Sequence, residues 1–341
     1  MARRHRYRML FIATALLLSN IDKARGQDIQ FSQFYAASMY LNPAFTGNTE
    51  QFRLAGTYRK QWPKLPGTWT SQSIAYDQSI PKINSGMGLL LVRDKAGTAG
   101  LRFTSVGLTY AYKFAITRNI FSSFGVRVSH TTRAVSSDQL VFWDQIVRGD
   151  PFFSVENLSN TEVKYADFSA GYTAYSKSAW VGLALDHLTT PNQSFIGLTS
   201  KLPMKFSLHG GYKLSLAKTA KGSVVKSVSL VANYKAQQKW DQLDIGAYVN
   251  LNGLIGGLWY RGLPGLKSFQ AGYGNSDALV FLIGYSQKDV ISIGYSYDLT
   301  ISKLTKASGG AHEITLIYEY AQPEYKRGKG KKNVIIPCMK F

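Results

Sequence analysis

Ile291 to Leu299 reads ISIGYSYDL and alternates without a break. Ile291, Ile293, Tyr295, Tyr297 and Leu299 are apolar or aromatic, whereas Ser292, Gly294, Ser296 and Asp298 are small or polar. A period of two places successive side chains on opposite faces of a strand, so one face meets an apolar environment and the other a polar one. A soluble sheet meets this condition with a core on one side and water on the other. A membrane barrel meets it with lipid outside and a polar lumen inside. Recurrence of the pattern, and the kind of chain that carries it, distinguish the two.

The pattern recurs from Glu50 onward. About fourteen strands can be read, the first centred on Phe52 to Arg59 and the last on His312 to Tyr320. In the fourth, Val106, Leu108, Tyr110, Tyr112 and Phe114 face one way and Ser105, Gly107, Thr109, Ala111 and Lys113 the other. No amphipathic helix of the length a packed α/β protein needs is present. Tyrosine and phenylalanine gather at strand ends, as in Tyr318 and Tyr320, where an aromatic girdle would lie. Connections also alternate in length: Ser176 to Ala179 and Gln287 to Asp289 are tight, whereas Ala134 to Glu162, Thr189 to Leu202 and Gly262 to Asp277 are long, with a short connection near Gln237 as the exception. Short inner turns and long outer loops are the habit of outer-membrane barrels. The expectation is an all-β protein, a transmembrane antiparallel β-barrel of about 14 strands over residues 50–321.

The 341 residues allow one large barrel or two ordinary domains. The first 26 read as a cleavable signal peptide: basic Arg3, Arg4, Arg6 and Arg8, an apolar run from Met9 to Leu18, and Ala24-Arg25-Gly26 ahead of Gln27. The expected localisation is therefore the outer membrane, reached by export through the inner one. Without the six cations and one anion of that segment, the net charge of +20 becomes +15. An exported chain of this charge is expected to meet outer-membrane lipid, wall polymer or an acidic protein, and no nucleic acid. A single cysteine, Cys338, excludes an internal disulfide framework and a cysteine-rich zinc site. After Leu18 no apolar run approaches the ~20 residues of a membrane helix, so a membrane would be crossed by strands.

Four places invite a functional reading. Residues 27–49 are aromatic-rich and not periodic, with Asn42-Pro43 and Gly47 marking a turn. They are expected to be a periplasmic lead-in packed across the first strands, or else a docking surface centred on Tyr40, Asn42 and Pro43. The connection from Ala134 to Glu162 carries Phe142, Trp143 and Asp144 and is long enough to cap the lumen or bind a partner. Its Asp138, Asp144 and Asp150 lack the spacing of a calcium loop, and no metal or cofactor is expected. His130, His187, His209 and His312 lie on separate strands and read as structural. Adjacent Asp186 and His187 would face opposite ways, and no nucleophile elbow or zinc-protease motif occurs, so no enzyme is expected. Finally, residues 322–341 form a basic periplasmic tail in which Lys326, Arg327, Lys329, Lys331 and Lys332 could dock a partner, ahead of an apolar end.

Several of these stretches resemble the PorP/SprF-type outer-membrane proteins of type IX secretion and gliding motility. The likeness is carried by Gln30-Phe31-Ser32-Gln33-Phe34, by Tyr40-Leu41-Asn42-Pro43-Ala44-Phe45-Thr46-Gly47, and by Tyr58-Arg59-Lys60-Gln61-Trp62. It continues in Phe142-Trp143-Asp144-Gln145, His187-Leu188, Pro191-Asn192-Gln193-Ser194-Phe195, Tyr297-Asp298 and Gly310-Ala311-His312-Glu313-Ile314. The family typically ends in cysteine-proline-x-phenylalanine; here Pro337 stands on the other side of Cys338, ahead of Phe341. The resemblance implies a non-enzymatic barrel that supports protein secretion and the cell-surface attachment of cargo such as adhesins. Its implied partners are periplasmic ring and motor components of the secretion system and a secreted adhesin or other cargo protein. A passive or selective, porin-like channel is the alternative that barrel geometry permits.

Overall fold

The structure, a computed structural model, describes residues 28–98, 100–136, 140–149, 154, 161–218, 224–238, 240–263, 276–287, 290–302 and 308–320. Fourteen strands run in order: β1 Phe52–Gln61, β2 Trp69–Ile80, β3 Ser85–Ala96, β4 Leu101–Ala115, β5 Phe121–Ala134, β6 Glu162–Tyr175 and β7 Ala179–Asp186. They continue with β8 Lys205–Lys218, β9 Val224–Gln237, β10 Trp240–Leu251, β11 Leu254–Gly262, β12 Ser276–Gln287, β13 Ile291–Thr300 and β14 Ala311–Tyr320. Each pairs antiparallel with its neighbours in sequence, and β1 pairs with β14 from Phe52 opposite Tyr320 to Gln61 opposite Ala311, so the sheet closes on itself. Closure leaves no free edge. Each expected strand is present, though β7 stops at Asp186, two residues short of its expected end at Leu188.

Burial settles which environment the alternation answers. On β13 the polar positions Ser292, Ser296 and Asp298 are buried, whereas Ile291, Ile293, Tyr295 and Leu299 are exposed. The same inversion holds around the barrel: Ile74, Leu108, Ile283 and Leu316 are each more than half exposed, while Ser73, Thr109, Ser229 and Thr315 are buried. A soluble sheet would bury its apolar face. A sheet that turns it outward is built for lipid. Outward aromatics gather at one end of the barrel, where the Phe52 ring lies 6.0 Å from Tyr76 and 5.4 Å from Tyr320.

The barrel ends differ in their connections. At the end bearing that aromatic group, β6 and β7 are joined by residues 176–178 and β10 and β11 by 252–253. At the opposite end lie the long connections 135–161, 187–204 and 263–275, together with the short 97–100 and 238–239.

Residues 28–49 require a correction. They are not a lead-in packed across the first strands; they occupy the barrel interior and bond to strands around the whole circumference. The segment forms a short helix, α1 (Ser38–Leu41), and a 3-10 turn over Pro43–Phe45. Phe31, Phe34, Tyr35, Met39 and Phe45 are buried, and Tyr35 stacks on Trp259 of β11 with ring centroids 5.8 Å apart. The cause is elementary: a non-periodic segment this rich in aromatics cannot bury them in itself, and each large side chain removed from water contributes ~1.5–3 kcal/mol. The barrel receives it through inward glycines. A Cβ on Gly125 of β5 would lie 2.4 Å from Pro43 and Ala44, and one on Gly171 of β6 would lie 1.9 Å from Asn42 Oδ1. The segment enters at the long-loop end, where Asp28 lies by His187, and leaves at the short-turn end, where Gly47 lies by Gly86 of β3.

Candidate functional site

The lumen holds ion-pair clusters that bind residues 28–49 in place. At the long-loop end, Arg59 of β1 and Arg261 of β11 share Asp298 of β13 at 2.8 and 2.7 Å. Ser32 sits on this cluster: its hydroxyl accepts from Arg59 at 2.6 Å and from Arg261 at 2.9 Å, and donates to Asp298 at 2.6 Å. The backbone N–H groups of Ser32 and Gln33 donate to the two carboxylate oxygens of Glu313 on β14, at 2.7 and 2.8 Å. One carboxylate thus satisfies two successive donors of a segment that has no ladder of its own.

A second cluster surrounds Asp28. Its Oδ2 lies 2.7 Å from His187 Nε2 and 2.8 Å from Lys205 Nζ, while His187 Nδ1 lies 2.6 Å from Asp167. Lys205 also reaches Asp186, which pairs with Arg127 of β5, and Arg127 donates to the carbonyl of Met39 at 3.0 Å. Burial opposes the charge on His187, but Asp28 and Asp167 outweigh it and push its pKa up to about 9. Burial likewise opposes ionisation of Asp28, yet Lys205 and His187 hold its carboxyl well below the usual range. Both imidazole nitrogens face carboxylates, so His187 is a charged bridge and offers no lone pair to act as a base. Asp186 and His187 do both turn inward, against the strand-parity expectation, because the strand stops at Asp186 and His187 takes a left-handed φ of 62°.

At the short-turn end, Asp77 of β2 accepts the Gly47 N–H at 2.8 Å and pairs with Arg53 of β1, whose guanidinium donates to Ser38 at 3.0 Å. Gly47 has φ +70°, and a Cβ there would lie 2.6 Å from the Gly86 backbone. Midway, Asn42 is buried: Oδ1 accepts from the Ala44 N–H at 2.8 Å, capping the Pro43 turn, and Nδ2 donates to the Leu183 carbonyl at 2.9 Å and lies 3.0 Å from His209.

The structure therefore gathers Tyr40, Asn42 and Pro43 in the lumen. Tyr40 donates to the Ile29 carbonyl at 2.9 Å, and Lys205 lies 5.1 Å from its ring centre. Phe142, Trp143 and Asp144 lie apart from them, at the start of helix α2 (Trp143–Arg148) in the connection between β5 and β6. There Trp143, Ile146 and Val147 are exposed, and Asp144 pairs with Arg148 and accepts from Ser154 at 2.7 Å. Lys326, Arg327, Lys329, Lys331 and Lys332 lie outside the described residues, as do Asp138 and Asp150. Sequence reasoning missed Ser32, Arg59, Arg261, Asp298 and Glu313 as a unit. The available signal was parity, since the strand charges sit at inward positions. Among the described residues no group of histidine, cysteine and carboxylate side chains is placed to hold a metal ion. Beside the segment a cavity of about 240 Å³ remains in the long-loop half of the lumen, between Ile29 and Tyr40 on one side and β2 to β6 on the other.

Apolar exterior, closed sheet and filled polar interior define the class: a β-barrel of the outer-membrane type, plugged by its own N-terminal segment. The chain belongs to the family described as type IX secretion system membrane protein PorP/SprF, which it matches over residues 24–318. No curated protein matches it. Among solved structures it is similar to the CymD monoaromatic hydrocarbon channel (10% identity, TM-score 0.48, covering 84% of this chain and 93% of that one). It is also similar to the toluene transporter TodX of Pseudomonas putida (9%, 0.46, 85% and 93%) and to a Pseudomonas aeruginosa FadL homologue (12%, 0.40, 80% and 89%). Fold and family fit an outer-membrane location in a type IX secretion system.

Proposed function

We propose that this chain is a non-enzymatic holding component of the type IX secretion machinery, supporting the export and surface attachment of cargo such as adhesins. The observation that carries the reading is the filled lumen. A pore keeps its interior for solute, whereas here interior Glu313, Asp77, Arg59, Arg261 and Arg127 are bonded to residues 28–49. A barrel so filled is a rigid body with two faces to offer. In the outer-membrane convention the short-turn end faces the periplasm, where ring and motor components would dock with help from the basic tail at 322–341, and the long-loop end faces outward, towards cargo. Residues 1–26 act as the signal peptide in this scheme. Deletion of the gene should leave particular exported proteins stranded, and cross-linking should recover periplasmic ring proteins, with small-solute uptake unchanged. Altered uptake alongside a normal set of secreted proteins would instead establish the channel alternative.

A further inference from the structure

The cavity beside Tyr40 has a charge pattern that the plug does not use. Its carboxylates Asp28 and Asp167 are answered by His187 and Lys205, and its Arg127 by Asp186. Two charged groups in the lining, Asp94 and Arg133, form no salt bridge among the described residues, Arg133 being drawn to Asp28 only at longer range. Asp94 of β3 accepts a hydrogen bond from Ser71 at 2.5 Å, and Arg133 of β5 donates to the neutral side chain of Gln193. They occupy one row of the sheet: Asp94 is opposite Phe103 of β4, and Phe103 is opposite Arg133. Two strand spacings put their backbones about 10 Å apart. Between the two charges β4 contributes Leu101 and Phe103 to the lining. On the far side of Arg133, Tyr165 lines the same cavity with its hydroxyl buried and without a hydrogen-bond partner among the described residues.

We propose that this cavity is a binding site for a short zwitterionic peptide of two or three residues. Asp94 receives the α-ammonium group, Arg133 and the Tyr165 hydroxyl receive the carboxylate, and the peptide's side chains lie on Phe103 and Leu101. Separation selects the length. An extended chain advances ~3.3–3.6 Å per residue, so a tripeptide spans about the separation of the two backbones that carry the charges. A free amino acid is too short to reach both. A fatty acid satisfies the guanidinium but places methylenes against Asp94, whose charge then stays unpaired. The site is independent of the attachment role proposed above, because it is formed inside one chain.

The test is calorimetric titration of the purified full-length barrel in detergent with the tripeptide Ala-Leu-Ala, with its N-acetylated and C-amidated forms, and with decanoate. Saturable binding is expected for the free tripeptide. Each blocked form should bind at least tenfold more weakly, the loss of one charged hydrogen-bonding end. Arg133→Gln should mimic the amidated peptide and Asp94→Asn the acetylated one, both variants remaining heat-modifiable on gels. The blocked peptides probe the wild type, so a variant that does not fold leaves the test intact. Absence of saturable tripeptide binding overturns the proposal. So does equal binding of free and blocked forms, or decanoate binding that depends on Arg133 and is indifferent to Asp94.

Discussion

Glu313→Ala isolates the contact between plug and wall. The Glu313 carboxylate accepts the Ser32 and Gln33 N–H groups at 2.7 and 2.8 Å and pairs with Arg59 at 3.2 Å. Alanine leaves two buried N–H donors without acceptors, at ~1–3 kcal/mol each. Arg59 keeps Asp298, so the ionic loss is partial. A total near ~4 kcal/mol falls on residues 28–41, because the β14 ladder is made by backbone groups that the substitution leaves in place. At ~1.4 kcal/mol per tenfold, the open population of that stretch should rise by about three orders of magnitude. Hydrogen exchange followed by mass spectrometry reads this directly: amides of 28–41 should lose protection by that factor while those of β1 to β14 keep theirs. Glu313→Gln, whose amide oxygen can accept from one of the two donors, should fall between. Unchanged protection of 28–41 in a folded Glu313→Ala barrel would refute the claim that this carboxylate holds the plug.

Gly171→Val should block seating of the central plug, since its Cβ alone would lie 1.9 Å from Asn42 Oδ1; the heat-modifiable fraction on gels should fall, and a normal yield of sealed barrel would count against it. The Asp28 cluster should depend on pH in a defined window. The His187 pKa is raised to about 9, so its contribution is complete below its ordinary value of 6.5 and is lost as pH rises through 9. Asp28 is depressed, so its contribution is present above the ordinary carboxylate range and is lost only in stronger acid. The temperature at which the band shifts on gels should therefore fall between pH 7 and 10, and His187→Ala should remove that fall. Replacing Lys326, Arg327, Lys329, Lys331 and Lys332 by Gln should leave the barrel folded and weaken co-purification of periplasmic partners most at low salt, because exposed charges are screened over about 8 Å at physiological ionic strength. Equal recovery across a salt series would show that the tail does not dock them.

The barrel was legible because lipid imposes one rule on every strand. Period two in ISIGYSYDL is a local property, and so are the turns that separate the strands. The plug was not legible, because its partners are remote: Ser32 meets Glu313 across 281 positions and Asn42 meets Leu183 across 141. Gly125 and Gly171 read only as small residues on a polar face, and nothing local tells a glycine that admits another backbone from one that lines water. Inward Arg59, Arg261 and Asp298 would look the same in an open pore. The His187 expectation failed for a different reason: one left-handed residue at a strand end resets the facing of its side chain, and parity arguments stop there.

Arg59 and Glu313 are opposite one another on β1 and β14, the two strands that close the sheet. Ser32 bonds to both residues and Gln33 to Glu313, and Arg53, near the other end of β1, holds Ser38. The first and last strands therefore meet over a template that precedes them both in the chain. A segment bonded around the whole circumference cannot easily be threaded into a finished cylinder. It must lie in place while the cylinder curls around it, so that filling and sealing are a single step of assembly. A chain whose N-terminal segment is held back, by an uncleaved leader or a bound chaperone, should consequently stall as an unsealed sheet and be cleared before it can open a hole in the membrane.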